Sequence, residues 1–422
     1  MAVIAITGTP VAGTKYTVTT ASSADWASVS NSTYFFDLTD KLVHYKDSTG
    51  AIIELFGSGA GGLTYFTEAQ NTTAPNATVP VDSLTAVTGT TNGDFAIIPK
   101  GSGAIITAIP DSGVVNGNKR GAYAVDLCLY RTAANQVAAG AYSGLFAGQR
   151  NFLASGQTNC TIIGGNTGNL YGGTDSTMIA CTGGELSGTN TAMVGATSSF
   201  GFGNNCFVTG NGNSASGTSN SLTGVSNSGG GTGNFLSGAS NGSTGINCLL
   251  SGKNNISSGK YNLLAGQWAN DFGHVSRFSI GTFQDTGPYT KGISQLSTLA
   301  TTFVSTTNTA VELVSYDGTA IALILQDNNA MRVKGSIIGK QTASTNVTSY
   351  DFDCVIVRGV GAGTTVLKVN NMNLVWDDII CTVLPTLTAN TTLGGLSIKS
   401  GGKTTTNIRW VARIDSTESI LA

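Results

Sequence analysis

Glycine recurs at every seventh position over one stretch of this chain, and that spacing restricts the fold more than any other feature. The glycines that follow it are Gly203, Gly210, Gly217, Gly224, Gly231, Gly238, Gly245, Gly252, Gly259 and Gly266. A globular core does not need such regularity, whereas a chain that winds in equal coils along an axis does. The stretch is not a coiled coil, because Gly, Ser, Thr and Asn predominate where apolar heptad positions and strong helix formers would be required.

The two halves of each fourteen-residue unit differ in character. One half is a short apolar run that ends in glycine, as in residues 220–224 and 234–238, and the other is smaller and more polar, as in 215–217. Each unit therefore predicts an apolar strand, a glycine turn, a thin second strand and another glycine turn. We expect glycine at these turns because they often require a positive φ, which other residues adopt only at a steric cost.

A longer version of the repeat lies upstream. Gly148, Gly156 and Gly164 are eight residues apart, and the spacing changes to seven near Gly195. This predicts sixteen-residue coils that give way to fourteen-residue coils. Residues 134–270 are thus predicted to form a parallel β-roll of roughly nine coils, about 40 Å long at the strand spacing of about 4.8 Å.

Alternation along the apolar strand separates an inner row from an outer row of side chains. The residue two positions before the glycine is always apolar, and we place it in the roll core: Val208, Leu222, Leu236, Leu250 and Leu264. The preceding residue then points outward, and it is large and apolar in four coils: Phe207, Phe235, Leu249 and Leu263. Such an outward row predicts a subunit interface, the alternative being a loop of the same chain packed over it.

The alternating segments 213–217 and 219–224 resemble the left-handed parallel β-roll of trimeric autotransporter adhesin heads, and still more the repeats of bacteriophage tail-fibre proteins. The resemblance covers roughly a third of the chain. It implies a homotrimer in which three-fold packing covers the outward row. It specifies the architecture far more closely than any ligand.

The flanking regions complete an all-β, elongated homotrimer. We expect an N-terminal β unit at 1–60 with a glycine-rich hinge at 57–62, a β region capping the roll at 61–133, and a connector at 271–300. The alternating strands of 301–422 predict a C-terminal β-sandwich. Segments 374–380 and 406–413 resemble a terminal module that is frequent in phage tail proteins. The start of the chain is not a signal peptide, and no apolar run is long enough for a membrane helix.

Composition and motifs favour a structural role. Charged residues are only 10% of the chain and the net charge is −2, so nothing indicates a nucleic-acid partner. The seven cysteines show no CxxC spacing, and with two histidines they predict no zinc site. Cys160, Cys206 and Cys248 are expected inside the roll as small buried thiols, in a ladder with Asn220, Asn234 and Asn262.

Acidic residues do not form a recognisable catalytic pair. Asp175 and Glu185 have no partner row in the roll, and the pairs Asp351/Asp353 and Asp377/Asp378 are interpreted as solvated strand faces. We therefore expect no catalytic, metal-binding or cofactor-binding residues, no cofactor, and no enzymatic activity.

These patterns predict a virion structural protein, a phage tail fibre for host-cell attachment that is made in the host cytoplasm. The expected partners are the chain itself as a homotrimer, other virion tail proteins through the N-terminal region, and a host-surface receptor, for which a glycan is one candidate. Neither nucleic acid nor membrane insertion is expected. The alternatives are a capsid or head fibre without a receptor role, a cell-surface trimeric adhesin, and a polysaccharide depolymerase spike. The sequence identifies no receptor-binding residues.

Overall fold

A computed structural model of the chain describes residues 5–6, 19–21, 23–37, 42–54, 66–71, 81–86, 96–283, 292–314 and 323–421. The chain divides into two compact units, Met1–Ile98 and Pro99–Ala422. Helix in the described residues is limited to two 3-10 turns, Ser23–Ser28 and Ala362–Thr364, which confirms the predicted all-β class. Within those residues no helix is both long and apolar enough to cross a membrane. The predicted hinge at 57–62 lies outside the described residues.

The first unit contains a small mixed sheet and a separate strand pair. Its described strands are β1 (Ala5–Ile6), β2 (Thr19–Ala21), β3 (Thr33–Asp37), β4 (Val43–Lys46), β5 (Ile52–Glu54), β6 (Phe66–Asn71) and β7 (Val81–Ala86). Strand β3 pairs with β1, β2 and β4, β4 pairs with β5, and β6 pairs with β7. Phe35 and Val29 form its buried core, with Trp26 packed against them. At the turn before β5, hydrogen bonds from Thr49 and Ala51 lower the pKa of Asp47.

A parallel β-solenoid begins the second unit. Its strands are β8 (Ile105–Ile106), β9 (Val125–Asp126), β10 (Gly144–Phe146), β11 (Phe152–Leu153), β12 (Thr161–Ile163), β13 (Asn169–Leu170), β14 (Thr177–Ile179), β15 (Glu185–Leu186), β16 (Ala192–Thr197), β17 (Phe200–Gly201), β18 (Phe207–Asn211), β19 (Ser214–Ala215), β20 (Ser221–Val225), β21 (Ser228–Gly229), β22 (Phe235–Ala239), β23 (Gly242–Ser243), β24 (Leu249–Lys253), β25 (Ile256–Ser257), β26 (Leu263–Gln267) and β27 (Phe278–Phe283). Even-numbered strands from β10 to β26 form a larger sheet, which β8 and β9 begin. Odd-numbered strands from β11 to β25 form a smaller one. The parallel pairing therefore extends beyond both ends of 134–270, the range predicted for the roll.

The coils shorten gradually along the solenoid. The inner row pairs Leu145 with Ile162, Ile162 with Met178, Met178 with Met193, Met193 with Val208 and Val208 with Leu222. The step thus falls from seventeen residues to fourteen in stages, whereas the glycine spacing predicted one change near Gly195. A register shift between Val194 and Thr197 in β16 accommodates an extra residue as a β-bulge.

The repeat glycines serve two steric purposes. Those that follow the apolar strands have φ between 85° and 117°: Gly210, Gly224, Gly238, Gly252 and Gly266. The other row has no positive φ, and a Cβ there would lie 1.7–2.2 Å from a carbonyl oxygen of the next coil: Gly203, Gly217, Gly231, Gly245 and Gly259. The expected positive φ is therefore found in the first row only, and in the second row it is close stacking of the coils that excludes a side chain.

The corners of the coils lie two residues after each repeat glycine. Residues there have φ between 55° and 69°: Asn205, Gly212, Ser219, Ser226, Gly233, Ser240, Asn247, Asn254, Tyr261 and Trp268. Asn and Gly adopt this left-handed conformation at the lowest cost. The corner positions nevertheless vary in residue type, unlike the two glycine rows. For that reason the glycine period alone did not locate the corners.

A two-layer β-sandwich ends the chain. Its described strands are β28 (Gly292–Ser305), β29 (Leu323–Ile324), β30 (Asn329–Gln341), β31 (Val347–Arg358), β32 (Val366–Asp377), β33 (Thr386–Asn390), β34 (Gly395–Lys399) and β35 (Ile408–Leu421). One layer is antiparallel in the order β28-β35-β30-β31-β32, and the other in the order β29-β34-β33. The layers share a core that includes Trp410, Val333 and Leu396. Because β27 also pairs with β28, the larger solenoid sheet continues directly into the sandwich.

Candidate assembly surface and buried polar clusters

One apolar stripe runs along the outside of the larger sheet. Phe207, Phe235, Leu249 and Leu263 are 42%, 45%, 39% and 38% exposed, and cross-strand pairing holds them in one row with Ser221. Phe278 pairs with Leu263 and extends the row. At about 4.8 Å per strand, the stripe from Phe207 to Phe278 is about 24 Å long. We call these six residues the outer stripe.

The inner row beneath the stripe is completely buried. Val208, Leu222, Leu236, Leu250 and Leu264 are each 0% exposed and belong to one continuous core column. Inward and outward residues alternate because successive side chains of a strand point to opposite faces. The outer stripe is therefore held on a rigid, well-packed support.

The stripe continues into a shallow cavity beside the sandwich. Ile280 and Leu296 pair across β27 and β28, and with Phe278 they line a cavity of about 510 Å³. Arg332 and Lys334 form part of its opposite wall. The apolar surface therefore ends against a charged one.

The charged side chains at that wall form ion pairs with one another. Arg332 donates from Nε and Nη2 to the two Asp353 carboxylate oxygens at 3.1 and 2.7 Å, which lowers the pKa of Asp353. Lys334 Nζ lies 3.6 Å from the same carboxylate. Arg413 pairs with Asp415 at 3.0 Å. This part of the sheet face presents paired charges to solvent.

An asparagine ladder stiffens the smaller half of the coils. The backbone N–H groups of Asn227, Asn241 and Asn255 donate to the side-chain oxygen of the asparagine one coil earlier at 2.8, 2.9 and 3.0 Å. The Asn213 Nδ2 group in turn donates to the carbonyl oxygen of Gly224 at 2.9 Å. The ladder satisfies buried polar groups and locks the register. Sequence reasoning missed it, although the fourteen-residue spacing of these asparagines was visible.

A second ladder contains the cysteines. The backbone N–H of Asn234 donates to Asn220 Oδ1, and that of Cys248 donates to Asn234 Oδ1, both at 2.9 Å. Cys160 and Cys206 are also buried and free, and burial raises the pKa of both thiols. Because the thiolate is the reactive form, such thiols are structural.

A buried ionic cluster closes the N-terminal end of the solenoid. Asp126 accepts from Arg120 Nε at 2.7 Å and from Arg131 Nη2 at 3.1 Å to each oxygen, and these side chains are 0–1% exposed. Arg120 Nη1 also donates to the carbonyl oxygens of Asn116 and Asn118 at 2.7 and 2.9 Å. The cluster ties the preceding loop to the first coils, a role that the cap prediction did not assign to any residue.

Asp271 lies at the C-terminal end of the smaller sheet, beside Asn262 of the second ladder. Its carboxylate accepts from the N–H groups of Ser258 and Gly259 at 3.0 and 3.1 Å, and from Asn262 Nδ2 at 2.6 Å. The next rung is Arg277, whose N–H donates to Asn262 Oδ1 at 2.7 Å. These bonds satisfy backbone donors that the end of a solenoid would otherwise leave unpaired.

Arg277 connects this end of the solenoid to the last strand of the chain. Its Nη2 pairs with Glu418 in β35 and donates to Ser297 Oγ at 2.8 Å. The guanidinium also lies 5.5 Å from the Phe272 ring. His274 beside it is 4% exposed, and burial, with a smaller effect from Arg277, lowers the His274 pKa to about 3.

Comparison with known proteins gives remote structural similarity. No protein-family model matches the chain, and no curated protein matches it. The chain is similar to tailspike gp49 of the Acinetobacter baumannii bacteriophage Fri1, described as a capsular polysaccharide depolymerase, with a TM-score of 0.20, 9% identity and coverage of 83% of this chain and 75% of that one. It is also similar to the tailspike protein of Acinetobacter phage vB_ApiP_P1, with a TM-score of 0.20, 9% identity and coverage of 66% and 56%.

These neighbours contradict the prediction that the chain is not an enzyme. The Fri1 tailspike is described as a depolymerase, so an architecture of tail-protein type does not argue against catalysis. The TM-score of 0.20 and the identity of 9% are too low to transfer that activity, or any catalytic residue, to this chain. Within the described ranges, no group of three or more His, Cys, Asp or Glu side chains is arranged to hold a metal ion.

Proposed function

We propose that this chain is a subunit of a bacteriophage tail fibre or tailspike, that it assembles as a homotrimer, and that it contributes to host attachment. The observation that carries the proposal is the outer stripe, with large apolar side chains 38–45% exposed at fixed register on a rigid solenoid. Monomeric soluble proteins rarely expose apolar patches of that regularity unless they serve as interaction sites. Identical stripes on several copies can bury one another.

Cover by the same chain was the alternative for this row. Among the residues that the structure describes, no loop packs over Phe207, Phe235 or Leu263, which keep about two-fifths of their surface exposed. Association with another chain would remove this surface from water. The trimeric state rests on the resemblance of the coils to trimeric fibre proteins.

The ends of the fibre have separate proposed roles. Residues 1–60 attach to other virion tail proteins, and 301–422 lies distally and contributes to contact with a host-surface receptor. In support, the sandwich presents its loops and an exposed sheet face on a rigid scaffold, which is where binding residues usually occur. Electron microscopy of virions labelled with antibodies against 42–54 and against the β30–β31 hairpin tests this polarity. If the antibody against the hairpin binds near the tail and the antibody against 42–54 binds at the fibre tip, the proposed polarity is reversed.

The function itself is tested with the purified full chain. We expect a particle with three times the 42.9 kDa chain mass in sedimentation equilibrium, and competition with phage particles for adsorption to host cells. A monomer contradicts the assembly, and a trimer without competition contradicts the attachment role. Labelling confined to the capsid supports a head fibre instead. Release of saccharide fragments from host capsule in the same samples reports catalysis directly.

A further inference from the structure

Two like charges lie directly opposite each other on the outer face of the sandwich. Lys340 on β30 pairs with Arg409 on β35, and both side chains are exposed. Their next neighbours across the sheet are Val347 on β31 and Val304 on β28, which are apolar. Like charges at directly opposed positions destabilise a sheet, so the pair of Lys340 and Arg409 does not contribute to the stability of the sandwich.

The other cations of the same face that pair across these strands have acidic partners. Arg332 and Lys334 share Asp353 at 2.7 and 3.6 Å, and Arg413 pairs with Asp415 at 3.0 Å. For Lys340 and Arg409, by contrast, no carboxylate of the described chain lies within ion-pair distance. The sheet face therefore contains one cationic pair without an acidic partner.

The unpaired cations border a cavity of about 750 Å³. Its floor includes Ile338 and Val411, and the turn between β30 and β31 contributes Thr342, Ser344 and Thr345 to its rim. This volume lies within the range of about 300–1,000 Å³ that is usual for ligand sites. The cavity thus combines two cations, several hydroxyl groups and an apolar floor.

The cavity is separate from the outer stripe and its continuation. Leu296 lies in the same lateral row as Thr417 and Arg332, whereas Lys340 is eight residues further along β30. At about 3.3 Å per residue, the two surfaces are about 26 Å apart along the strand. Trimer formation through the stripe therefore does not by itself account for the cationic pair.

We propose that Lys340 and Arg409 form a binding site for an anionic polysaccharide, with the two cations contacting acidic groups on the sugar chain. An extended saccharide matches the cavity because its hydroxyl groups can bond to the threonine and serine rim while its C–H faces pack on Ile338 and Val411. Cations aligned with an acidic ligand also increase the rate of encounter at low salt. The inference rests on the proposed role in host attachment and specifies the ligand of the distal sandwich.

The test compares two variants of the full-length chain that remove the same charge from the same sheet face. The test variant is Lys340→Gln/Arg409→Gln, and the control is Lys334→Gln/Arg413→Gln, whose cations are paired with Asp353 and Asp415. The probes are fluorescent polygalacturonate oligomers, dextran sulfate and neutral dextran, measured by fluorescence anisotropy at low and high salt. Polygalacturonate and dextran sulfate separate carboxylate from sulfate recognition, and neutral dextran measures the contribution of the sugar alone.

We expect the wild type to bind at least one of the two polyanions and not neutral dextran. The test variant should bind about tenfold more weakly or worse, as for the loss of charge-assisted hydrogen bonds, and the control should stay within about twofold. The melting temperature of the test variant should be unchanged or higher, because a repulsive pair has been removed.

Several results overturn the inference. The inference is wrong if the wild type binds neither polyanion. It is also wrong if both variants bind the polyanion equally more weakly than the wild type, because that indicates diffuse electrostatic attraction to the whole sheet face. A changed oligomer mass of the test variant shows that the cavity is a contact with a second copy. If polyanions bind at this site but the protein does not compete for adsorption, the site stands and the attachment role fails.

Discussion

At the scale of single residues, two steric conditions require glycine in this solenoid. In both rows the next coil leaves no room for a Cβ, and in the row that follows the apolar strands φ is positive as well. Both conditions are local to the stacking of one coil on the next, so they can be tested one residue at a time. A useful contrast is Gly242 in β23, where a Cβ would meet nothing within 4 Å and φ is not positive.

Gly217→Ala should destabilise the solenoid strongly, and Gly242→Ala should not. A Cβ at Gly217 would lie 1.7 Å from the Gly231 carbonyl oxygen, so the coils must separate, at a cost of about 1–3 kcal/mol or more. Alanine at position 242 should be neutral or stabilise by up to about 1 kcal/mol, because it restricts the unfolded chain. Thermal unfolding of the two variants measures the difference, and equal melting temperatures refute the stacking argument.

His274 should make stability depend on pH between about 3 and 6.5. Its folded pKa is lowered to about 3 from 6.5, so the unfolded chain binds the extra proton in this range and stability falls as the pH is lowered. The loss from this group is about 1.4 kcal/mol per pH unit below 6.5. Above pH 6.5 the histidine is neutral in both states and contributes no pH dependence.

The measurement is denaturant unfolding of wild type and His274→Gln at pH 7 and pH 5. The difference in unfolding free energy between the two proteins should change by about 2 kcal/mol between these pH values. His44→Gln, in the first unit, is the matched histidine control. A pH-independent difference for His274→Gln shows that the folded and unfolded pKa values are equal, as for an exposed side chain, and a difference of opposite sign shows that the side chain is protonated in the folded protein.

At the scale of elements, the larger sheet presents its apolar stripe on one side and its core column on the other. The smaller sheet also exposes an apolar side chain, Ile256 in β25, at 48%. That residue is isolated from the stripe by the body of the solenoid. It provides a control for the effect of a surface charge as such.

Phe235→Asp should shift the homotrimer towards monomers, whereas Ile256→Asp should leave the mass unchanged. A carboxylate buried in an apolar interface without a partner costs about 3–5 kcal/mol. Sedimentation velocity at several protein concentrations measures the shift, and circular dichroism checks that the solenoid is intact. A Phe235→Asp protein that stays fully trimeric places the interface elsewhere.

At the scale of the whole second unit, one hydrogen-bonded sheet runs from the first coils to the sandwich. Parallel pairing ends at β26–β27 and antiparallel pairing begins at β27–β28. Arg277 and Glu418 secure this junction from inside, with side-chain exposures of 0% and 3%. We therefore expect solenoid and sandwich to unfold together.

Glu418→Gln should lower the stability of this unit by about 3–5 kcal/mol, because it leaves the Arg277 charge buried without its partner. Asp353→Asn removes a carboxylate from an exposed pair and should cost about 1 kcal/mol or less. Differential scanning calorimetry should show one transition for the second unit in both variants, at a clearly lower temperature for Glu418→Gln. Two separate transitions in the wild type contradict a continuous cooperative sheet.

Much of this architecture is local enough to predict from the sequence. A coil contacts mainly the coil before it and the coil after it, so a fourteen-residue period with strand alternation identifies both the column containing Leu222 and the row containing Phe235. The all-β class and the C-terminal sheet follow from the same alternation. The staged shortening of the coils and the ladder of Asn213, Asn227, Asn241 and Asn255 were missed, because the glycine period alone does not show the corners or the polar residues between them.

What the sequence by itself determined is the repeat, its inner and outer faces and the class of fold, because each depends on residues a coil apart. Only the tertiary structure decided the partners of the buried and exposed charges. Arg277 meets Glu418 across a sequence separation of 141 residues, and Lys340 meets Arg409 through the register of β30 and β35. Such contacts depend on strand order and register between distant segments, which no local period encodes.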